Sequence, residues 1–268
     1  MPRTIILKLG GSIITDKQGG RPLIRRKLVR RLAGVLHHTW ARDSRLKLIL
    51  LHGAGSFGHP LACRYKLDGA KLNARQLKGA GETIATMREL GTELARVLIR
   101  AGLPVIPFQT SAMVRENRPK LSFMSPDAPR LLREIVQKRG IPLLGGDVVF
   151  THDGRTKIAS ADGLAELLAK YFPGATLAFA SDVDGVYPHF PPRPSTKPIK
   201  IMSRKIMEHV LSSTRTNANV RDVTGAMVGK LRSLLEAKNR MAIIFNGTKP
   251  EQLSLLLKNK VIGTTIKL

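Results

Sequence analysis

The chain has 268 residues, with 45 Lys and Arg against 19 Asp and Glu and one cysteine, Cys63. A single cysteine excludes an internal disulfide framework and fits a reducing compartment. No run approaches the roughly 18 apolar residues of a membrane span. In "MPRTIILKLGG" Lys8 interrupts the apolar stretch, so no signal peptide is read there, and a cytoplasmic protein with no membrane partner is expected. The net charge of +26 attracts polynucleotides and small phosphorylated molecules alike. Aromatic residues are only 4% of the chain, a poor supply for base stacking, and no zinc-finger, RNA-recognition or helix-turn-helix signature occurs. A nucleic-acid partner is therefore the weaker reading.

In chain order, Thr4–Leu9 reads as a buried strand and Pro22–Ala41 as a helix. That helix carries the densest basic patch, Arg25, Arg26, Lys27, Arg30 and Arg31, read as a solvated face. Leu46–Leu51 is a second strand. Asn73–Ala101 is a long amphipathic helix, with Leu77, Ile84, Met87, Leu90, Leu94 and Leu98 at helical spacing. Pro104–Phe108 is a short strand, Asp127–Arg139 a helix with Gly140 behind it, and Ile141–Leu144 a strand. Val148–Phe150 and Thr156–Ala159 flank an Asp153-Gly154 hairpin signal. Ser160–Tyr171 is a helix and Thr176–Ala180 a strand; Pro188–Pro198, with five prolines, is an extended loop. Lys205–Ser212 and Gly225–Asn239 are helices, Met241–Phe245 a strand, Pro250–Lys258 a helix and Thr264–Lys267 a last strand. The alternation predicts a three-layer αβα sandwich around a mainly parallel open sheet. A chain this long buries roughly 70–75% of its unfolded surface and needs no staples.

Ligands of such sheets sit beyond the carboxyl ends of the strands, and that is where the chain places its glycines. "KLGGSIITDK" ends the first strand. Consecutive glycines let backbone N–H groups approach phosphate oxygens, and Lys8 and Lys17 flank the turn. "HGAGSFGH" ends the second with Gly53, Gly55 and Gly58, and His59 directly follows the last of them. Taken alone, that histidine also fits a plain surface position. "LLGGDVVF" and "LAFASDVDGVYP" end two further strands in Gly145-Gly146-Asp147 and Ser181-Asp182-Val183-Asp184. "DVTGAMVGKL" differs from the Walker loop: three residues separate Gly225 from Gly229, and Leu231 follows Lys230. A helix opening near Gly225 would still aim its positive end at an anion. Lys8, Lys17 and Lys230 are thus candidate phosphate-facing lysines, the equipment of phosphoryl transfer. Asp162, in "IASADGLAELLA", could orient them or simply serve the dipole of its own helix.

In this order the motifs resemble the amino acid kinase superfamily over nearly the whole chain, and within it the isopentenyl phosphate kinases. "GSFGH" separates that branch and the similar fosfomycin kinases from acetylglutamate and uridylate kinases. The resemblance implies a homodimer that uses ATP and Mg²⁺ to convert isopentenyl phosphate to isopentenyl diphosphate. It also implies an acceptor lobe over about 1–170 and a nucleotide lobe over about 171–268. By position, Lys8 and Lys230 would bind ATP phosphates and Lys17 would stabilise the transferring group. Gly10, Gly11 and Ser12 would line the phosphates, and Gly55 would approach the transferred group. Ala54, His59 and Gly146, with neighbouring Gly53 and Gly145, would hold the substrate phosphate. Asp162 would organise the lysines, and Asp182, Tyr187, Gly225 and Met227 would surround the nucleotide. No residue is assigned as a protein metal ligand. Ala80, Ile84 and Met87 of the long helix are candidate walls for the apolar tail. Ala54 and Ala226 stand where the family often has glycine, and either would be strained if its φ were positive.

Overall fold

The computed structural model describes residues 3–16, 22–117, 120–189, 195–213, 223–235 and 241–267; within these, the side chains of 213 and 223–226 are left aside. Lys17, the middle of the proline loop and the expected helix end at 236–239 lie outside the described residues.

The first half of the chain builds β1 (Arg3–Leu9), α1 (Gly11–Ile14), β2 (Thr15–Asp16), β3 (Leu23–Ile24), α2 (Arg26–Arg42), β4 (Leu46–His52), α3 (Gly55–Tyr65) and α4 (Ala74–Arg100). It continues with β5 (Val105–Phe108), β6 (Val114–Asn117), β7 (Lys120–Phe123), α5 (Asp127–Gln137) and β8 (Ile141–Gly145). The second half builds β9 (Asp147–Phe150), β10 (Thr156–Ala159), α6 (Ala161–Tyr171), β11 (Thr176–Ser181), β12 (Ile201–Ser203) and α7 (Arg204–Ser213). It ends with α8 (Val223–Leu235), β13 (Met241–Asn246), α9 (Pro250–Leu257) and β14 (Thr264–Lys267).

Eight strands form one sheet in the order β12-β14-β13-β11-β1-β4-β8-β5. Every pairing is parallel except β13 with β14. Helices cover both faces, as the strand–helix alternation requires. Side-chain alternation along β1 sorts the two layers. Ile5, Leu7 and Leu9 pack into one core with residues of α2, α3, α4 and α9. Ile6 packs into the other, with residues of α5, α6, α7 and α8. Lys8 has the parity of Ile6, so its ammonium is delivered to the layer that contains α6 and α8.

Several expectations are corrected. The helix expected from Pro22 begins only at Arg26, because Leu23–Ile24 pairs antiparallel with Thr15–Asp16. The basic patch at the start of α2 is exposed, as expected, and Arg26 pairs with Glu93 at 2.7 Å. On α4 the apolar stripe holds from Met87 to Leu98, whereas Leu77 is 54% exposed near the amino end. The helix expected from Gly225 starts at Val223, and Ala226 falls inside its span. Ala54 has φ −73° and ψ −34°, ordinary right-handed values, so alanine is unstrained there. Helix α3 and the short strands β6, β7 and β12 were not expected from the sequence.

Candidate active site

Beyond the carboxyl ends of β1, β4 and β11 the glycine turns meet. Backbone bonds extend the sheet into them: Gly10 N–H donates to Ala180 O (3.0 Å), Gly53 N–H to Leu9 O (3.0 Å) and Gly146 N–H to His52 O (3.0 Å). Two abutting cavities of about 340 Å³ each open here. The first is lined by Gly10, Gly11, Ser12, Gly55, Asp182 and Met227, among others. The second is lined by Ala54, Thr83, Met87, Gly146, Ser160 and Asp162, among others. Lys8, Gly53, His59 and Lys230 line both. The two cavities therefore meet at a rim of two ammonium groups and one imidazole.

A carboxylate organises that rim. Asp162 lies in the first turn of α6, behind Ser160, whose hydroxyl caps the helix by accepting from Gly163 N–H. One oxygen of Asp162, Oδ1, stands 3.0 Å from Lys8 Nζ and 3.0 Å from Lys230 Nζ. Burial alone would push the Asp162 carboxyl up; the Lys230 and Lys8 ammonium groups reverse that and hold it well below the ordinary carboxylate range. Burial also pulls Lys230 down to about 8, against the upward pull of Asp162 and with a further downward push from Lys8. Lys230 Nζ lies 4.8 Å from the centroid of the Phe179 ring, a cation–π contact. Phe179 is the β11 partner of Lys8 in the sheet register, so the same parity that aims Lys8 sets this ring beneath Lys230. The result is two cations held side by side, with only one carboxylate between them, facing both cavities.

The remaining expected residues are distributed as follows. Met87 lines the second cavity, but Ile84 lines neither and instead packs with Tyr65, Leu67, Ala80 and Val148. Thr83, four residues before Met87 on the same helical face, takes the wall position. Gly145 lies behind that cavity, in a smaller one of about 170 Å³ bordered by His52, Gln109 and Asp147. Tyr187 lies in the loop after β11, outside the lining of both cavities. Gly225 falls in the first turn of α8. The cavities draw on both halves of the chain: Gly10–Ser12 border the first cavity and Gly229 and Ser233 the second.

Two buried groups lie nearby: His52, which the sequence did not single out, and Asp147, read there only as a residue of a strand-end turn. His52 is 3% exposed, and burial pulls its imidazole down to about 4, so the ring is neutral. Asp147 is pushed up by burial to about 6, against hydrogen bonds from Val148 N–H (2.8 Å), Gln109 Nε2 (2.6 Å) and Ser111 N–H (3.2 Å). The signal for His52 was its place at the end of an otherwise apolar strand.

Glycine turns at the carboxyl edge of a mainly parallel sheet, facing paired lysines, define a phosphate-handling enzyme of the α/β class. A sequence model of the Amino acid kinase family matches residues 3–246. The isopentenyl phosphate kinase of Methanothermobacter thermautotrophicus is 32% identical to this chain, covering 98% of each. That of Methanocaldococcus jannaschii is 31% identical, covering 97% of each. A solved isopentenyl phosphate kinase superposes with a TM-score of 0.81 at 28% identity, over 98% of this chain and all of the other. The chain belongs to the amino acid kinase family, and within it to the isopentenyl phosphate kinases.

Proposed function

We propose that the protein transfers the γ-phosphoryl group of ATP to the phosphate of isopentenyl phosphate, giving isopentenyl diphosphate and ADP. The observation that carries this reading is the pair of cavities meeting at Lys8, Lys230 and His59, in a chain whose relatives named above are isopentenyl phosphate kinases. ATP occupies the cavity lined by Gly10, Gly11, Ser12, Gly55, Asp182 and Met227. The acceptor occupies the one lined by Ala54, Gly146, Thr83 and Met87, its phosphate toward His59 and its tail toward the helix α4 wall.

An oxygen of the acceptor phosphate forms a bond to the γ-phosphorus while the bond to the β–γ bridging oxygen breaks. The acceptor oxygen is already anionic, so no strong general base is needed. Lys8 and Lys230 stabilise charge that spreads over the equatorial oxygens, and Asp162 keeps their ammonium groups oriented. His59 donates a hydrogen bond to the acceptor phosphate. Lys17 acts on the transferring group and is part of the proposal by its position in the motif. Mg²⁺ fits through the nucleotide: this ion is ordinarily held by one or two carboxylates and by substrate phosphates, and Asp182 is the carboxylate bordering the nucleotide side among the described residues. When bound, the ion would neutralise charge between the β- and γ-phosphates. The acceptor and nucleotide lobes, the homodimer and the cytoplasmic location belong to the same reading; light scattering tests the dimer.

The test is a panel of acceptors offered with ATP and Mg²⁺: isopentenyl phosphate, dimethylallyl phosphate, fosfomycin, glutamate and UMP, with products identified by phosphorus NMR. Isopentenyl phosphate is expected to give the highest kcat/KM and a diphosphate product. Preference for fosfomycin, or no turnover of isopentenyl phosphate, would overturn the assignment.

A further inference from the structure

The nucleotide-side and acceptor-side turns touch backbone to backbone. A Cβ on Gly53 would stand 2.7 Å from Gly11 N, and one on Gly11 would collide with Gly55 N and Cα. Gly55 has φ +49°, a left-handed value, and a Cβ there would collide with the Thr15 hydroxyl. No Cβ fits at these glycines, so the turns meet backbone to backbone there, and the hydrogen bonds between them help to fix their separation.

Thr15 supplies the bond. Its side chain is fully buried, and its Oγ1 donates to Gly11 O at 2.7 Å. The same oxygen accepts from Ser56 N–H at 3.0 Å. Among the described hydrogen bonds, the link between the Gly10-Gly11-Ser12 turn and the first turn of α3 runs through this one hydroxyl. Thr15 is itself held on β2, where it pairs with Ile24. His59 follows Ser56 by three residues, one turn further along α3. A shift of Ser56 therefore carries Gly55 and His59 with it, relative to Gly11.

We propose that Thr15 is a positioning residue that sets the spacing between donor phosphate and acceptor phosphate. Phosphoryl transfer requires reacting atoms in line and close, and small misplacements are costly in rate. The hydroxyl acts through Gly11 and the first turn of α3 and need not touch either substrate. It acts on geometry that both substrates share, so its loss falls on turnover more than on either binding step. This inference rests on the phosphotransfer reading, and its test includes a readout independent of activity.

The variants are Thr15→Val, which keeps the shape and removes the hydroxyl, and Thr15→Ser, which keeps the hydroxyl. Kinetics are measured on whichever acceptor the wild type turns over fastest. Thr15→Val is expected to lower kcat about tenfold to a hundredfold, with KM for ATP and acceptor within about threefold. Thr15→Ser is expected to retain near-normal kcat. In parallel, hydrogen exchange at the Ser56 amide should accelerate in Thr15→Val and stay slow in Thr15→Ser, while β1 amides are unchanged. Normal kcat in Thr15→Val, equal damage from Thr15→Ser, or unchanged Ser56 exchange in Thr15→Val would each overturn the proposal. Inactivity of the wild type on isopentenyl phosphate would instead overturn the acceptor assignment, and Ser56 exchange would still judge the role of Thr15.

Discussion

The two cavities share Lys8, Gly53, His59 and Lys230 and differ in the rest of their lining. The cavity proposed for the nucleotide is walled largely by glycine turns and small polar residues, Gly10, Gly11, Ser12, Ser181 and Asp182. The cavity proposed for the acceptor is walled by Ala62, Met87, Ile158, Ala159 and Ala161, with Thr83, Ser160 and Ser233 among them. A highly charged triphosphate is suited to backbone N–H groups, and an alkenyl tail to apolar side chains. The cations stand where the two meet, which is where charge would develop in the proposed transfer. Under the proposed function, binding and chemistry are separable: each cavity would have its own recognition surface, and the catalytic charge would belong to neither alone.

The severest way to break this arrangement is to remove the carboxylate at the junction. Asp162→Ala leaves two partly buried ammonium groups without their partner, and breaking such a pair costs about 3–5 kcal/mol. A large fall in melting temperature and near-complete loss of turnover are expected; a stable, active Asp162→Ala protein would contradict the organising role. His59→Ala cuts on one side only. A hydrogen bond to a charged group contributes about 1.5–3 kcal/mol, so acceptor KM should rise about tenfold or more while KM for ATP holds steady. Equal effects on both substrates would erase the distinction between the cavities.

A pH profile sharpens the rim itself. Lys230 is pulled down to about 8 by burial, and its charged form is the one that meets phosphate. Activity that depends on it is therefore present below pH 8 and declines as pH rises through 8 in the unliganded enzyme. A decline of kcat/KM for ATP with that midpoint is expected, and Lys230→Arg should remove the decline because a guanidinium stays charged. A flat wild-type profile from pH 7 to 9 would refute it. The smallest effect belongs to the far wall. Met87→Trp should lower turnover of branched five-carbon phosphates a few-fold relative to shorter ones, whereas Ile84→Trp, outside the cavity, should leave the preference unaltered. Equal shifts from both substitutions would remove Met87 from the wall.

Much of this was legible in the chain. Strands with β-branched runs and helices with a 3.6-residue stripe announce themselves through periodicity, as β1, β4 and α4 do. Helix α3 did not, because Gly55, Gly58 and Pro60 read locally as breakers; tertiary packing of Phe57 and Tyr65 overrides that local preference. Lys8 and Asp162 were visible as charges at a strand end and a helix start, and Lys230 as the lysine behind Gly229 in a glycine-bearing motif. That one carboxylate oxygen serves both lysines depends on β1 side-chain parity and on the placement of α6 beside α8, which no local window contains. Ile84 and Thr83 are neighbours in sequence, and only the rotation of α4 against the sheet decides which one meets the cavity. Thr15 gave no signal, since its significance lies in a contact with Ser56, 41 positions away.

Whether the two cavities hold donor and acceptor at the same time is decided by calorimetric titration of isopentenyl phosphate into protein saturated with a non-hydrolysable ATP analogue. One-to-one binding of the acceptor in the presence of the analogue is expected, weakened about tenfold or more by His59→Ala with analogue affinity unchanged. Displacement of one ligand by the other would contradict it.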